Sequence, residues 1–321
     1  MSGGLRRSVL AFVLRWLARC SGSRAGAVLV YHRVGGPDGE PELQVDPGVP
    51  TGEFERQLRQ LRRHYRVVRA DEVIRASRER RRGRRFPVAI TFDDDLSSHV
   101  RHALPALRRE ALPATFFLCG ASLHEPQTFW WEDLQRAIDD ELVDANALPQ
   151  LAEDDVRAAL EQSPRAIRRV ASSIERLEPT RRAEVAATLR EAVGPPPPDA
   201  GLRSSSVRAL ADGGCDVGFH TLRHEALPAL SDDALEQALH EGREEVEAVA
   251  GRASNLIAYP HGKADARVAE AARSAGYSFG FTTAVGLVRP DTDPHLIPRL
   301  VPPASASAFA LHLARAFAGR L

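Results

Sequence analysis

Short apolar runs alternate with amphipathic helical patterns along most of the chain. The run AVLVYH (27–32) is typical of a buried strand, and GEFERQLRQLRRH (52–64), after Thr51, has its apolar residues at helical spacing. Further strand-like runs are PVAITFDD (87–94), PATFFL (113–118), CDVGFH (215–220) and NLIAYP (255–260). Repeated strand–helix units predict an α/β fold with parallel strands, either a barrel or a doubly wound sheet.

The alternation stops between residues 121 and 203. This stretch has helical patterns without a convincing strand, and it includes the stiff, extended proline run 195–198. We interpret 121–203 as a helical insertion within one domain, 27–321, which is preceded by a basic amphipathic segment, 1–26.

The segment LRRSVLAFVLRWLARC (5–20) has an apolar run, Val9 to Leu14, that is too short to span a bilayer. The first acidic residue of the chain is Asp38, and no clear export signal is present. Two alternatives follow: the helix lies peripherally on an anionic membrane surface, or it packs on the domain. We therefore expect a location in the cytoplasm or at the membrane surface. The arginine-rich stretch RERRRGRR (78–85) is either an anion-binding patch or a solvated helix end and loop.

Composition excludes some classes of protein. The 321 residues carry 43 basic and 43 acidic side chains, and a formal net charge of zero argues against nucleic acid as a partner. Three cysteines without a CxxC pair do not make a disulfide framework.

Polar side chains of the metal-binding and proton-transfer types follow several predicted strands. The first strand ends in His32 and the third in Asp93 and Asp94, while His220 and His224 follow CDVGF. The carboxyl ends of parallel strands meet at one edge, where the chemistry of such folds collects. Two histidines four residues apart, together with a carboxylate, suit a catalytic divalent metal.

Three motifs carry a family resemblance: TFDDD (91–95), HTLRH (220–224) and AYPHG (258–262). Together they resemble the polysaccharide deacetylase family, also called carbohydrate esterase family 4 or the chitooligosaccharide deacetylase homology domain, over about 27–302. The resemblance implies a distorted (β/α) barrel of seven or eight strands that removes acetyl groups from sugars with a divalent metal. The stretch VYHRV (30–34) is similar to the poly-N-acetylglucosamine deacetylase branch of that family.

Residue roles follow from the resemblance. It makes Asp93 the general base, and it makes Asp94, His220 and His224 the ligands of a metal, Zn²⁺ in the first place, with Co²⁺, Ni²⁺ or Fe²⁺ as alternatives. It assigns a second oxyanion donor to the backbone N–H of His261.

The general acid that protonates the leaving amine is placed by the branch resemblance. In that branch the acid histidine lies on the first strand, which is His32 here; the alternative is a histidine that only hydrogen-bonds at the strand end. His295 and His312 lie late in the chain, where many family members supply the acid, but neither matches that motif well.

Other positions depart from the family pattern or suggest substrate contacts. Asp95 stands where the family has glycine, a position that suggests a positive φ; its side chain would orient His32 or Arg299, bind substrate, or point to solvent. Arg299 in LIPRL is a candidate partner for the catalytic Asp93. Tyr259 is a candidate substrate contact.

The aromatic run at the start of the insertion also has two interpretations. Trp130 and Trp131 either form a wall of the sugar groove or anchor the insertion's core.

The sequence favours a metal-dependent deacetylase of N-acetylated glycans, with an acetylated glycan as partner. Two alternatives stay open at this point: hydrolysis of a small non-sugar amide, and a non-catalytic carbohydrate-binding protein.

Overall fold

The computed structural model describes residues 2–36, 41–144 and 146–319. Within these ranges the strands are β1 (Ala27–Tyr31), β2 (Arg66–Val67), β3 (Pro87–Asp93), β4 (Thr115–Leu118), β5 (Asp216–Phe219), β6 (Leu256–Ala258) and β7 (Phe279–Phe281). The α-helices are α1 (Ser2–Cys20), α2 (Thr51–His64), α3 (Val73–Glu79), α4 (Leu104–Glu110), α5 (Trp130–Asp139), α6 (Glu153–Leu160), α7 (Pro164–Arg176), α8 (Pro179–Val193), α9 (Ser204–Asp212), α10 (Asp232–His240), α11 (Arg243–Ala250), α12 (Ala266–Ser274) and α13 (Ala306–Phe317).

All seven strands pair in parallel in one sheet, in the order β1-β3-β4-β5-β6-β7, with β2 also paired to β3. The segment 297–300 bridges the two ends of this order. Ile297 pairs with Phe281 of β7, and Leu300 pairs with Leu29 of β1. The architecture is an α/β distorted barrel, as the motifs implied, and Arg299 is part of the segment that closes it.

Burial explains why the strands are nearly continuous apolar runs. Every residue of β1 and β3 is buried, as expected for parallel strands covered on both faces. Aromatic rings fill the space between neighbouring elements; Phe92 of β3 stacks on Phe116 of β4 with ring centroids 4.5 Å apart. The rigid strand ends that result provide fixed positions for the polar residues that follow them.

The chain divides into two compact units. Unit 1 comprises Met1–Gly35, Val49–His124 and Leu202–Leu321 and contains the sheet; unit 2 comprises Gly36–Gly48 and Glu125–Gly201. Unit 2 has its own apolar core, built from α5, α6, α7 and α8, and Leu43 and Val45 pack against it. The sequence predicted an insertion over 121–203 and did not indicate that 36–48 belongs with it.

Helix α1 packs on the closing helix α13. Ala11 and Leu14 form a small buried cluster with Ala314 of α13. None of the described helices is both long and apolar enough to cross a membrane.

Candidate metal centre and active site

Three consecutive acids end strand β3, and all three are buried. The relative exposures of Asp93, Asp94 and Asp95 are 2%, 3% and 4%. Burying a carboxylate is costly unless hydrogen bonds or opposite charges compensate for the lost water. The partners of the three acids are different, and these partners separate their roles.

Asp93 forms a two-pronged ion pair with Arg299. The guanidinium donates from Nη1 to Asp93 Oδ1 at 2.7 Å and from Nη2 to Oδ2 at 2.6 Å. Arg299 is itself fully buried, and its Nε donates to the carbonyl of Thr282 at 2.9 Å. Burial is the largest single influence and raises the pKa of Asp93, but the charges of Arg299, His220 and His32 and the Arg299 hydrogen bonds together hold that pKa below its ordinary value. Asp93 is therefore an ionised carboxylate at neutral pH.

Asp94 lies against two imidazoles. Its Oδ1 is 3.5 Å from Nε2 of His220 and 3.4 Å from Nε2 of His224, and one such atom from each side chain lies within 4.8 Å of the others. Burial favours the neutral acid, but the interactions with His220 and His224 hold the pKa of Asp94 well below its usual range. Asp94 Oδ1 is buried and has no hydrogen-bond partner among the residues that the structure describes.

The histidine tautomers fit a metal at this point. His220 Nδ1 donates to the carbonyl of Ala258 at 2.8 Å, which leaves the Nε2 lone pair directed at Asp94. Burial lowers the pKa of His224 to about 3, assisted by the charges of His220 and His261, so its imidazole is neutral. One carboxylate oxygen without a donor and two imidazole nitrogens around one point are the donor set of a divalent cation site. The residues present therefore fit the metal that the motifs implied.

The backbone bends sharply to bring these groups together. Asp94, Thr221, His224 and His261 have φ values of 74°, 57°, 50° and 57°, in the left-handed region that residues with a Cβ seldom adopt. Such conformations persist where the surrounding structure enforces them, and they concentrate at functional sites. The sequence suggested a positive φ at Asp95, where the family has glycine; the structure places it one residue earlier, at Asp94.

Asp95 points neither to solvent nor to His32 or Arg299. Its Oδ1 accepts from the backbone N–H of Cys119 at 2.9 Å and of Gly120 at 3.3 Å, and its Oδ2 accepts from Ser122 Oγ at 3.1 Å. The expectation that Asp95 binds substrate is therefore wrong. Its buried carboxylate holds the loop that follows β4.

His32 and His261 are both half-buried. The charge of His32 contributes to lowering the pKa of both Asp93 and Asp94, which places this histidine beside the two acids. The His261 ring packs edge-on against His224, with centroids 4.6 Å apart. His261 follows β6 in a tight turn, in which its backbone is left-handed.

Other expected site residues have different positions. Tyr259 is fully buried, and its hydroxyl donates to the carbonyl of His295 at 2.9 Å, so its side chain belongs to the core and does not face substrate. His295 Nε2 is engaged by the carbonyl of Tyr277 at 2.8 Å. In unit 2, Trp130 packs against the core of the insertion, and Trp131 stacks on Phe129 at 4.3 Å.

The sequence did not single out His99 as a site residue. It is fully buried, and its Nε2 donates to the carbonyls of both Asp93 and Asp94, each at 3.0 Å. Burial lowers the pKa of His99 to about 4, so the ring is neutral. It supports the strand end where the backbone turns, between Phe92 and Phe116. Its position in the polar stretch after the three acids does not indicate this supporting role.

Comparison with known proteins agrees with this geometry. Residues 80–280 match the family model described as polysaccharide deacetylase. No match is found among the curated proteins. Among solved structures, the chain resembles the Streptococcus pyogenes deacetylase PplD in complex with acetate, with 16% identity, 90% of this chain and 97% of that chain covered, and a TM-score of 0.59.

Two further solved structures share the fold. IcaB from Ammonifex degensii is 19% identical, with 91% of this chain and 97% of that chain covered and a TM-score of 0.59. The BpsB deacetylase domain from Bordetella bronchiseptica is 16% identical, with coverages of 88% and 96% and a TM-score of 0.53. At these identities the likeness shows a common fold.

Proposed function

The chain belongs to the polysaccharide deacetylase family, and from this premise we propose that it is a metal-dependent hydrolase that removes acetyl groups from N-acetylated glycans. Family membership makes it a deacetylase that hydrolyses carbon–nitrogen bonds and implies an acetylated glycan as substrate class. The observation that carries the metal dependence is the buried Asp94 Oδ1, which has no hydrogen-bond partner in the described chain and lies 3.5 and 3.4 Å from two imidazole nitrogens.

Asp94, His220 and His224 would hold the cation, Zn²⁺ in the first place, with Co²⁺, Ni²⁺ and Fe²⁺ as alternatives that metal analysis separates. A divalent ion bound there supplies a Lewis acid that polarises the acetyl carbonyl and increases the acidity of water. Binding competes with a proton, because the charges of Asp93 and Asp94 raise the pKa of His220 despite its burial. Metal affinity is therefore expected to fall as the pH is lowered.

Asp93 is the proposed general base. It is ionised because the positive charge of Arg299 stabilises the carboxylate. The two hydrogen bonds from Arg299 also fix the orientation of that carboxylate. As water attacks the acetamide carbonyl, Asp93 accepts the water proton and the new C–O bond forms. The N–H of His261, in its left-handed turn, is the proposed donor to the oxyanion that develops.

His32 is the proposed general acid. It lies beside the acids at the end of β1, where its charge acts on both of them. When the C–N bond breaks, His32 gives a proton to the leaving nitrogen, so that acetate and a free amino sugar are the products. The VYHRV motif (30–34) supports a place in the poly-N-acetylglucosamine deacetylase branch.

The proposal is tested by measuring acetate release from chitooligosaccharides and from poly-N-acetylglucosamine oligomers, together with the amount of bound metal. The test variant is Asp93→Asn, which keeps the shape of the side chain and removes the base. We expect acetate release to fall by about 10²–10⁴-fold while metal remains bound. Full activity in this variant would overturn the role of Asp93.

The same experiment separates the alternatives. Release of acid from a small amide but from no glycan would favour the small-amide hydrolase. Metal and oligosaccharide binding without any hydrolysis would favour a carbohydrate-binding protein.

A further inference from the structure

Helix α1 has two apolar faces, and only one of them is covered. Ala11, Leu14 and Ala18 are buried, and Ala11 and Leu14 pack with Ala314 of α13. Large apolar side chains on the rest of the helix are exposed: Val9, Leu10, Phe12, Val13, Trp16 and Leu17. At 100° per residue these six positions occupy one continuous arc of about 160°, centred opposite the buried face.

This exposed face is unusual within the protein. Phe12 and Trp16 are 61% and 58% exposed, although aromatic side chains gain most from burial. In the described chain, the large apolar side chains exposed outside α1 are Leu142, Val285 and Val301, which lie in three separate loops. A contiguous apolar patch on a surface marks a site of interaction with another molecule or with a membrane.

An arginine-rich loop is attached to the same helix. Arg80 donates to the carbonyls of Arg19 at 3.0 Å and Ser21 at 3.1 Å, so it caps the carboxyl end of α1. Gly83 N–H donates to Arg19 O at 2.9 Å, and Arg19 Nε donates to Gly83 O at 2.6 Å. The loop 80–85 is therefore held beside the last turn of α1 by its backbone and by Arg80. Arg85 Nη1 also donates to the carbonyl of Arg62 at 3.2 Å, so Arg81, Arg82 and Arg84 are the arginines of the loop that extend from the surface.

Those side chains are cations facing solvent. Arg81, Arg82, Arg84 and Arg85 are all exposed. Burial, followed by the charges of Arg15, Arg63 and Arg85, lowers the pKa of His64 to about 4, so cations from α1, α2 and this loop lie around one point. The nearest acid in the sequence, Glu79, is 3.9 Å from Arg66, and the first 37 residues contain no acid.

We propose that the exposed face of α1 and the loop 81–85 together bind the surface of an anionic lipid bilayer. Phe12, Trp16 and their apolar neighbours would enter the interface between head groups and acyl chains, and the arginines would contact lipid phosphates. A helix with an aromatic and aliphatic face flanked by arginine is the pattern that lies in such an interface. The inference does not depend on the proposed catalytic function.

Charge favours a bilayer over a second copy of the chain as the occupant. In a symmetric dimer the same patch would face itself, and neither α1 nor the loop 80–85 contains an acid that could pair with the arginines of the other copy. Like charges placed opposite each other across an interface disfavour association. A surface of anionic lipid complements both the apolar arc and the cations.

Cosedimentation of the full chain with vesicles tests the proposal. We expect binding to vesicles of phosphatidylcholine and phosphatidylglycerol, weaker binding to pure phosphatidylcholine, and a decrease with added NaCl. The double variant Phe12→Ser/Trp16→Ser is expected to lose roughly tenfold or more in vesicle affinity, since two interfacial aromatic anchors are removed. Arg81→Gln/Arg82→Gln/Arg84→Gln is expected to lose roughly tenfold on anionic vesicles only and to be less sensitive to salt.

The matched control is Leu142→Ser/Val301→Ser, which removes exposed apolar side chains elsewhere and should bind vesicles as the wild type does. The proposal is overturned if the wild type does not bind anionic vesicles, or if both α1 and control variants bind equally well. A wild-type dimer in light scattering that becomes monomeric in Phe12→Ser/Trp16→Ser, without vesicle binding, would instead make this face an interface between copies.

Discussion

Two buried aspartates, one in each compact unit, are each paired with an arginine, and the two pairs have different meanings. In unit 1, Arg299 holds Asp93. In unit 2, Asp133 is 1% exposed, accepts from Thr128 Oγ1 at 2.7 Å, and accepts from Arg190 Nε at 2.7 Å. The Asp133 pair uses its hydrogen bonds to join two helices of the insertion, α5 and α8.

The difference lies in what surrounds each pair. Asp133 sits among groups that satisfy it, whereas Asp93 is followed by Asp94, whose buried Oδ1 has no hydrogen-bond partner in the described ranges. Two imidazole nitrogens lie 3.5 and 3.4 Å from that oxygen, and the backbone of Asp94 is left-handed. A buried ion pair is therefore weak evidence for function. A buried carboxylate oxygen that lacks a hydrogen-bond partner and lies within 3.5 Å of two imidazole nitrogens is stronger evidence, because these are the ligand types of a divalent cation.

The largest effect is expected from Asp94→Ala. Loss of a residue that only hydrogen-bonds to a metal ligand costs roughly 10–100-fold in metal affinity. Loss of the proposed ligand Asp94 itself should weaken metal binding by well over that factor. Metal content after dialysis measures this directly. Asp133→Ala is the comparison and should retain metal, because its hydrogen bonds lie within the insertion. Equal metal content in both variants would contradict the assignment of Asp94 as a ligand.

Arg299→Gln should have the next largest effect. It leaves Asp93 buried and unpaired, which is expected to cost about 3–5 kcal/mol in the free energy of unfolding, measured in urea. It also removes the charge that holds the pKa of Asp93 low, so burial should raise that pKa. The acid limb of kcat/KM against pH should therefore move to higher pH.

The stability of the wild type has a matching dependence on pH. Because the folded-state pKa of Asp93 lies below its unfolded value, the pair stabilises the fold above the ordinary carboxyl range. This contribution is lost as the pH falls through the folded-state pKa. Arg190→Gln, the equivalent change in unit 2, should destabilise the protein and leave the acid limb in place. If both variants moved the acid limb equally, the two pairs would not differ as we infer.

Asp95→Gly should have an intermediate effect. It restores the residue typical of the family and leaves the N–H groups of Cys119 and Gly120 without their buried acceptor, at a cost of about 1–3 kcal/mol. Asp95→Asn retains one oxygen and should cost less. Thermal unfolding of the two variants measures the order, and an Asp95→Gly protein as stable as the wild type would show that the loop does not need this carboxylate.

The smallest effect is expected from Arg157→Ala on the surface of the insertion. Arg157 pairs with Glu153, and the two side chains are 59% and 65% exposed. Exposed pairs of this kind contribute about 0–0.5 kcal/mol when they lie i,i+4 on a helix. A loss above about 1 kcal/mol in urea unfolding would mean that solvent screening at this surface is weaker than usual.

The order of elements and the candidate metal ligands could be read from the sequence. Buried parallel strands require continuous apolar runs, and a metal site requires its ligand types at the strand ends, so both leave local patterns. The local pattern placed the two histidines and a pair of aspartates at strand ends, and the family resemblance chose Asp94 as the ligand. The structure brings Asp94, His220 and His224 together. The proposed membrane face also begins in a local pattern, the apolar and basic residues of 1–26.

Tertiary structure decided the partners that are distant in sequence. The loop that lies across the strand end decides whether Asp95 faces solvent or accepts a hydrogen bond from Cys119. The packing at the same place decides whether His99 is exposed or supports the carbonyls of Asp93 and Asp94. The same holds for residues 36–48, which join the insertion, and for the loop 80–85, which caps α1. Local periodicity reports which side of an element is buried, but the groups that meet there are set by how the elements pack.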